Sequence, residues 1–407
     1  MNLQMFAAQT SSQAIPFANA SNPRPSVFQI SGGGATTATY TPGGEAVEFD
    51  TKPGDLGLSE SILIRVYGTI TPTLGSGAAV WSVMESFFKE IKIKRGDTPI
   101  KSVHPFFFTL RNKLMRRGYE VNGAPFGGTN YFAKANLPQA LPTITGATAI
   151  NFVWGLYIPT RWLRSLLNDM YPVGDSDNPL KIELTPAAAA YGVDPQNAPV
   201  LVSGGATVAF SATIAASYVY RSVLSYTPNV TVQNPVVGRV LRVGSGSQSI
   251  TSIGSETTIV PVAKKPTTLL VAVVQDGNAN AGAAAGTNGT GLSTSELSQL
   301  EFVLSTDAKV LNLDAAEKFI AYQENLRLAY GLDLPDGVFP LVFPQQSWAS
   351  GFNDNPNLDP LAQIPDFSTW REAFLSLTVA SGTTLNSAGS GLARVVLYQE
   401  WLESVNY

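Results

Sequence analysis

The sequence reads Leu180-Lys181-Ile182-Glu183-Leu184 at one point and Glu90-Ile91-Lys92-Ile93-Lys94 at another. Both stretches alternate apolar with charged residues, which places the apolar side chains on one face of an extended chain and the charged ones on the other. This pattern is typical of a β-strand with one wet face. Further β-like runs, separated by Gly and Pro, recur between Ser61 and Trp401. The chain is therefore predicted to be all-β, or mainly β, with the strand spacing of a β-sandwich.

Two segments depart from this pattern and predict helices. The first begins at Pro105, a favoured residue in a first helical turn, and ends at Gly118. The second begins with the capping box Asp314-x-x-Glu317 and ends at Gly331. A shorter segment, 160–168, predicts one or two further helical turns.

The two helices reveal an internal duplication. Each follows a β-like run at a similar distance, and the closing glycines, Gly118 and Gly331, lie 213 residues apart. Pairs of β-like runs recur in the same order: 61–70 with 268–275, 87–94 with 299–304, 180–184 with 373–379, and 218–224 with 395–401. Chance recurrence of strands in a β-rich chain is the alternative. The duplication predicts two tandem β-sandwich domains of like topology at 45–228 and 236–407, joined by a linker at 229–235, each with one inserted α-helix.

The N-terminal residues 1–44 differ from the rest. They carry one charged residue, several Pro and a Gly triplet, without a sustained hydrophobic period. We predict an extended N-terminal arm without a core of its own. It holds more apolar side chains than a solvated linker needs: Met5, Phe6, Ile15, Phe17, Val27 and Phe28. The arm is therefore expected to dock on a partner, and deletion of residues 1–30 is expected to leave a folded body.

The composition removes most catalytic tools. The 407 residues include no cysteine and one histidine, His104. Disulfides, thiolate zinc sites, cysteine nucleophiles and multi-histidine metal sites are thereby excluded. A net charge of −4 provides no basic footprint for nucleic acid. No secretory signal is readable, and the longest apolar run, Leu269–Val274, is too short to span a bilayer, so we expect a soluble chain made in a cytoplasm.

No residue is predicted to be catalytic, cofactor-binding or metal-binding, and the chain is not expected to be an enzyme. His104 has no nucleophile or acid nearby in sequence, which favours a structural role. Carboxylates that could bind Ca²⁺ lie in Asx-Pro segments, where ordinary turns explain them better: Asp175, Asp177, Asp354 and Asp359. The Gly-rich segments lack the lysine and hydroxyl of a phosphate loop, and one of them, 276–295, predicts a long exposed loop. No carboxylate pair stands out for glycoside hydrolysis.

Positive charge is concentrated in one region that ends in the first predicted helix. This basic cluster comprises Lys89, Lys92, Lys94, Arg95, Lys101, Arg111, Lys113, Arg116 and Arg117. Strand alternation, and the attraction of cations to a helix C-terminus, explain most of it. The alternative is a face that meets acidic groups of a neighbouring subunit or lipid headgroups.

The order of elements resembles the major capsid proteins of the double jelly-roll lineage, found in tailless icosahedral bacteriophages related to tectiviruses. The resemblance covers most of the chain. The stretches 149–159 and 180–192 are similar to the end of the first jelly roll in that family, and Pro335-Asp336-Gly337-Val338-Phe339-Pro340 is similar to the corresponding part of the second. The opening Met1–Ala7 is similar instead to the start of some tailed-phage capsid proteins, whose long spine helix the sequence does not predict.

This resemblance implies two tandem jelly-roll domains and a structural function. Homotrimers would form pseudo-hexagonal capsomers of an icosahedral shell, commonly over an internal membrane. The implied partners are neighbouring capsomers, minor capsid or penton proteins and, through the arm, the internal membrane. Neither a cofactor nor sequence-specific nucleic acid is implied. The protein would be located in the virion after assembly in the host cytoplasm.

The sequence is also compatible with a second class of function, the binding or cleavage of carbohydrate. A surface or secreted β-sandwich protein could bind or cleave carbohydrate, with Trp154, Trp348 or Trp370 as platforms for sugar rings. The missing signal sequence and the missing catalytic site count against this alternative.

Overall fold

The computed structural model is built mainly from β-strands, which confirms the fold class expected from the alternating stretches. It describes residues 24–52, 55, 57–82, 84, 86–114, 120–121, 124–125, 141–146, 148–160, 172–173, 179–222, 238–275, 296–304, 308–330, 337–342, 367–370, 372–381 and 393–405. We call the described part of 24–222 the N-terminal sandwich and the described part of 238–405 the C-terminal sandwich.

The strands and helices have the following bounds. The N-terminal sandwich contains β1 (Arg24–Val27), β2 (Gln29–Ile30), β3 (Thr37–Tyr40), β4 (Val47–Asp50), β5 (Gly57–Thr73), β6 (Ala78–Trp81), β7 (Phe88–Arg95), β8 (Thr98–Val103), α1 (Pro105–Leu114), β9 (Glu120–Val121), β10 (Ala124–Pro125), β11 (Ile150–Pro159), β12 (Pro172–Val173), β13 (Leu180–Pro186), β14 (Tyr191–Gly192), β15 (Val200–Ser203) and β16 (Thr207–Ser222). The C-terminal sandwich contains β17 (Gly238–Ser249), β18 (Glu256–Ile259), β19 (Thr267–Gln275), β20 (Leu297–Leu304), β21 (Ala308–Leu313), α2 (Ala316–Tyr330), β22 (Val338–Val342), a 3₁₀ turn (Phe367–Thr369), β23 (Ala373–Val379) and β24 (Arg394–Val405).

Two antiparallel sheets form each sandwich. In the N-terminal sandwich one sheet has the order β1-β16-β5-β11, with β3 also on β16, and the other has the order β2-β4-β13-β7-β8. In the C-terminal sandwich the corresponding orders are β17-β24-β19-β22 and β18-β23-β20-β21. Strands that are distant in sequence lie side by side, which is the arrangement of a jelly roll.

The two sandwiches repeat one topology. The last strand, β16, lies between β1 with β3 on one side and β5 on the other, just as β24 lies between β17 and β19. In each sandwich the inserted helix follows the outermost strand of the second sheet, β8 or β21. The four pairs of β-like runs matched in the sequence occupy equivalent places, since they are β5 with β19, β7 with β20, β13 with β23, and β16 with β24. The repeated order of elements predicted from the sequence is therefore observed in the sheets.

Both predicted helices are present. Pro105 begins α1, and α2 begins two residues after Asp314. The closing glycines lie outside the described residues, and so does nearly all of the further helical segment predicted at 160–168. Within the described part of the chain, neither helix is long and apolar enough to cross a membrane.

The prediction that residues 1–44 form an arm outside the core is wrong for residues 24–44. Strands β1 and β3 both pair with β16 and together form the edge of its sheet. Between them Phe28 is fully buried and its ring lies 4.6 Å from that of Tyr218, centroid to centroid. The Tyr40 hydroxyl donates a hydrogen bond to the carbonyl oxygen of Phe87 at 2.8 Å. Phe28 and Tyr40 are therefore buried in the body of the same chain, whereas Val27 is exposed. Residues 1–23 lie outside the described ones.

Candidate functional site

The junction between the two sandwiches is the most elaborate polar and apolar contact region in the described structure. Strand β8 of the N-terminal sandwich runs parallel to β17 of the C-terminal sandwich, with Lys101 opposite Val243. This pairing joins one sheet from each sandwich into a single nine-stranded sheet. The sandwiches are therefore fused side by side by backbone hydrogen bonding as well as by the chain connection.

Helix α1 covers the C-terminal sandwich at this junction. The rings of Phe107 and Tyr398 lie 5.9 Å apart, centroid to centroid. The outward-facing side chains of β19 and β24 belong to the same apolar cluster as the core of the N-terminal sandwich, whereas the inward-facing ones form a separate cluster. For this reason every residue of β19 is buried, on both faces of its sheet.

A buried ion pair fixes α1 to β24. The Arg111 guanidinium donates a hydrogen bond through Nε to Glu400 Oε2 at 2.5 Å, and both side chains are at most 1% exposed. The hydroxyl of Thr268 donates to the other oxygen, Glu400 Oε1, at 2.8 Å. A buried charge pair with further hydrogen bonds is costly to break on one side only, so this pair fixes the relative position of helix and sheet.

A second polar cluster lies at the start of β24. The Arg394 guanidinium contacts Asp194 Oδ1 at 2.8 Å and donates through Nε to Gln275 Oε1 at 2.6 Å. Gln275 in turn donates through Nε2 to Met84 Sδ at 3.1 Å. Asp194 and Met84 belong to the N-terminal sandwich, whereas Gln275 and Arg394 belong to the C-terminal sandwich. The cluster therefore connects the two sandwiches.

His104 has a structural place beside this cluster. Its Nδ1 accepts a hydrogen bond from the backbone N–H of Phe106 at 3.2 Å, which caps the first turn of α1. Its Nε2 lies 3.3 Å from the carbonyl oxygen of Gln196. Burial lowers the pKa of His104 to about 4, although the hydrogen bond with Gln196 and the charge of Asp194 oppose the shift. The imidazole is therefore neutral at pH 7, and it serves as a helix cap.

The basic cluster does not form an open cationic face where it is described. On the outer face of β4, β7 and β13, lysines alternate with carboxylates: Lys92 donates to Glu183 at 2.8 Å and Lys94 to Glu48 at 2.7 Å. Hydrogen bonds from Lys92 and Lys94 hold the pKa of Glu183 below its ordinary value.

Three further members of the cluster are buried. Lys101 and Arg111 are at most 1% exposed and Arg95 is 7% exposed, whereas Lys89 is exposed. The side chain of Lys113, and Arg116 and Arg117 altogether, lie outside the described residues. Lys92, Lys94 and Arg111 are thus paired with carboxylates of the same chain.

The tryptophans expected as sugar platforms do not form one in the described structure. Trp154 is buried in the core of the N-terminal sandwich, and Trp370 packs half-buried against the core of the C-terminal sandwich. Trp348, the four candidate calcium-binding aspartates and the loop 276–295 lie outside the described residues. Among the described residues, no group of His, Asp and Glu side chains has the spacing of a metal site.

Sequence reasoning missed the junction. It named Arg111 only as part of the basic cluster, and it passed over Glu400, which lies 289 residues away. One signal was available: Glu400 is the only charged residue in the β-like run Val395–Trp401. A lone carboxylate in such a run points to a buried partner.

Known proteins share this fold without sharing the sequence. No model of a protein family matches the chain, and no curated protein matches it. The major capsid protein of STIV, the Sulfolobus turreted icosahedral virus, aligns with a TM-score of 0.58 at 10% identity over 95% of this chain and 97% of that one. For VP54 of PBCV-1, fitted into a reconstruction of the virophage Sputnik, the TM-score is 0.59 at 13% identity over 94% of both chains.

A third capsid protein extends the comparison. The Faustovirus major capsid protein aligns with a TM-score of 0.52 at 9% identity, over 95% of this chain and 91% of that one. Over nearly its whole length, the chain has the fold of double jelly-roll viral major capsid proteins.

Proposed function

We propose that this chain is a viral major capsid protein that forms homotrimeric, pseudo-hexagonal capsomers of an icosahedral shell. The observation that carries the proposal is the shared fold, which extends over nearly the full length of both STIV major capsid protein and VP54 of PBCV-1. A fold alone does not define a function, so the chemistry of the chain must agree with it. The chemistry agrees with a structural role, because Arg111, Arg394 and His104 make contacts that hold elements of the same chain together.

The junction supports a role as a building block. A single continuous sheet and two polar clusters fuse the sandwiches, so that one chain presents two similar sandwiches in a fixed relation. Three such chains around a threefold axis would present six similar units, which is the requirement of a pseudo-hexagonal tile. We propose the domain bounds given by the sequence, 45–228 and 236–407, with the first extended to include residues 24–44.

The proposed partners follow from this role. They are the other copies in the trimer, neighbouring capsomers and minor capsid or penton proteins, with an internal membrane reached through residues 1–23. We propose no enzymatic activity, no cofactor and no sequence-specific nucleic acid. The protein would be assembled in the host cytoplasm and located in the virion.

The mass in solution and the shape of the particle test the proposal. Light scattering coupled to size-exclusion chromatography should give three times the chain mass of 43.2 kDa. Electron microscopy of the same sample should show pseudo-hexagonal particles or closed shells. A folded protein that stays monomeric at all accessible concentrations would contradict the proposal.

A further inference from the structure

Helix α2 carries an apolar stripe that the C-terminal sandwich does not use. Ile320 is 59% exposed and Leu328 is 79% exposed, and Glu324 is exposed between them. The spacing of four residues places the three side chains on one face of the helix. The opposite face docks α2 on its own sandwich, where Phe319 is buried and the Tyr322 hydroxyl donates to the Pro340 carbonyl at 2.6 Å.

Helix α1 has the matching stripe, and there the stripe is covered. The 213-residue offset of the duplication matches Phe106 with Phe319, and both are buried. It also matches two residues of α1 with the exposed stripe of α2: Phe107 with Ile320, and Arg111 with Glu324. Like α2, α1 is hydrogen-bonded to its own sandwich, since Asn112 Nδ2 donates to the Tyr157 carbonyl at 2.5 Å. Phe107 and Arg111 then cover the outer face of β19 and β24 in the next sandwich.

The equivalent outer face of the N-terminal sandwich is less covered. On β19 and β24 the outward residues Val271, Val273 and Tyr398 are at most 1% exposed. On β5 and β11 the equivalent face has apolar and aromatic side chains at intermediate exposure: Leu63, Tyr67 and Val153. Arg65 lies among them, and its Nε is buried without a hydrogen-bond partner among the described residues. Buried polar groups are normally hydrogen-bonded, and a carboxylate is the strongest acceptor for a guanidinium, so we expect a carboxylate from outside the described residues of the same copy at this position.

We propose that the Ile320–Glu324–Leu328 face of α2 packs on the outer face of β5, β11 and β16 of a second copy of this chain, with Glu324 paired to Arg65. The contact repeats between copies the packing of α1 at the internal junction. The charges are reversed, because inside the chain the helix supplies the cation, Arg111, and the sheet supplies the anion, Glu400. This inference rests on the proposed homotrimer and identifies its contact surfaces.

The sheet edges agree with this arrangement. At the internal junction β8, the outermost strand of its sheet within the N-terminal sandwich, pairs with β17. The equivalent strands, β21 and β1 with β3, are outermost strands of their sheets in the described topology. Each copy therefore has two surfaces for such a contact. One consists of α2 with the unpaired edge of β21, and the other consists of the outer face of β5 with the unpaired edge of β1 and β3. Head-to-tail contacts of this kind close into a ring of three copies when each contact rotates the next copy by one third of a turn.

A charge exchange tests the proposal. Glu324→Arg and Arg65→Glu should each weaken the trimer by about tenfold or more, measured by sedimentation velocity over a dilution series, because each places like charges in contact. The double variant should restore association to near the wild-type level. Val260→Asp, at a valine that is 67% exposed elsewhere on the C-terminal sandwich, serves as the control and should leave the trimer unchanged. Circular dichroism checks that every variant is folded.

The outcomes separate this inference from the proposed function. A wild-type trimer that Glu324→Arg and Ile320→Asp leave intact would overturn the α2 interface while the capsid role stands. Two disruptive single variants that the double variant does not repair would overturn the pairing of Glu324 with Arg65. A folded wild-type monomer would contradict the trimer itself.

Discussion

At the scale of single residues, His104 makes stability depend on pH. Its pKa is about 4 in the folded chain and 6.5 when unfolded, so the unfolded state binds more protons between these values. Folding stability is therefore lost as pH falls from 6.5 to 4. The shift corresponds to a loss of about 3 kcal/mol once the pH is below 4 and both states are protonated.

The variant His104→Asn isolates this contribution, because asparagine can cap α1 without titrating. Urea unfolding at pH 7 and at pH 4.5 should show a smaller loss of stability for the variant than for the wild type. Asp194 and Arg394, the charged groups facing His104, are unchanged in the comparison. Equal losses in both proteins would show that the imidazole does not couple to folding.

The buried pair at the junction gives a second prediction at this scale. Arg111→Met or Glu400→Met alone should destabilise the chain by about 3–5 kcal/mol, because each leaves an unpaired charge in a dry site. The double variant Arg111→Met/Glu400→Met should cost less than either single one. Urea unfolding of the four proteins measures the coupling, and Lys318→Ala, in an exposed pair with Asp314, should be silent. Additive single effects would argue against a coupled pair.

At the scale of elements, the N-terminal strand edge separates two truncations. Deletion of residues 1–23 removes nothing that the described sheets use, and its melting temperature should match that of the full chain. Deletion of residues 1–30 also removes β1, β2 and the fully buried Phe28, whose loss alone should cost about 3–5 kcal/mol. Its melting temperature should drop, measured by differential scanning calorimetry. Equal melting temperatures would show that β1 and Phe28 add little to the fold.

The same elements show what sequence could and could not predict. Strict alternation in 90–94 and 180–184 predicted β7 and β13, and caps predicted both helices, because these signals are local. The prediction of an arm is wrong for residues 24–44 because Gly, Pro and the lack of a period hide three short edge strands. The junction was missed because its contacts join residues up to 289 positions apart, and no local pattern encodes them.

At the scale of the whole molecule, the two sandwiches should unfold together. The apolar cluster of the N-terminal sandwich includes the outward residues of β19 and β24, so neither sandwich can open without exposing part of the other's core. Pulsed hydrogen exchange along a urea titration should therefore give one midpoint for peptides from β5 and from β20. A flexible insertion within 229–235 should leave the midpoints together, since packing and not the chain connection couples the sandwiches. Two separate midpoints in the wild type would mean that the junction is a weak contact, and that a capsomer would be built from independently folding halves.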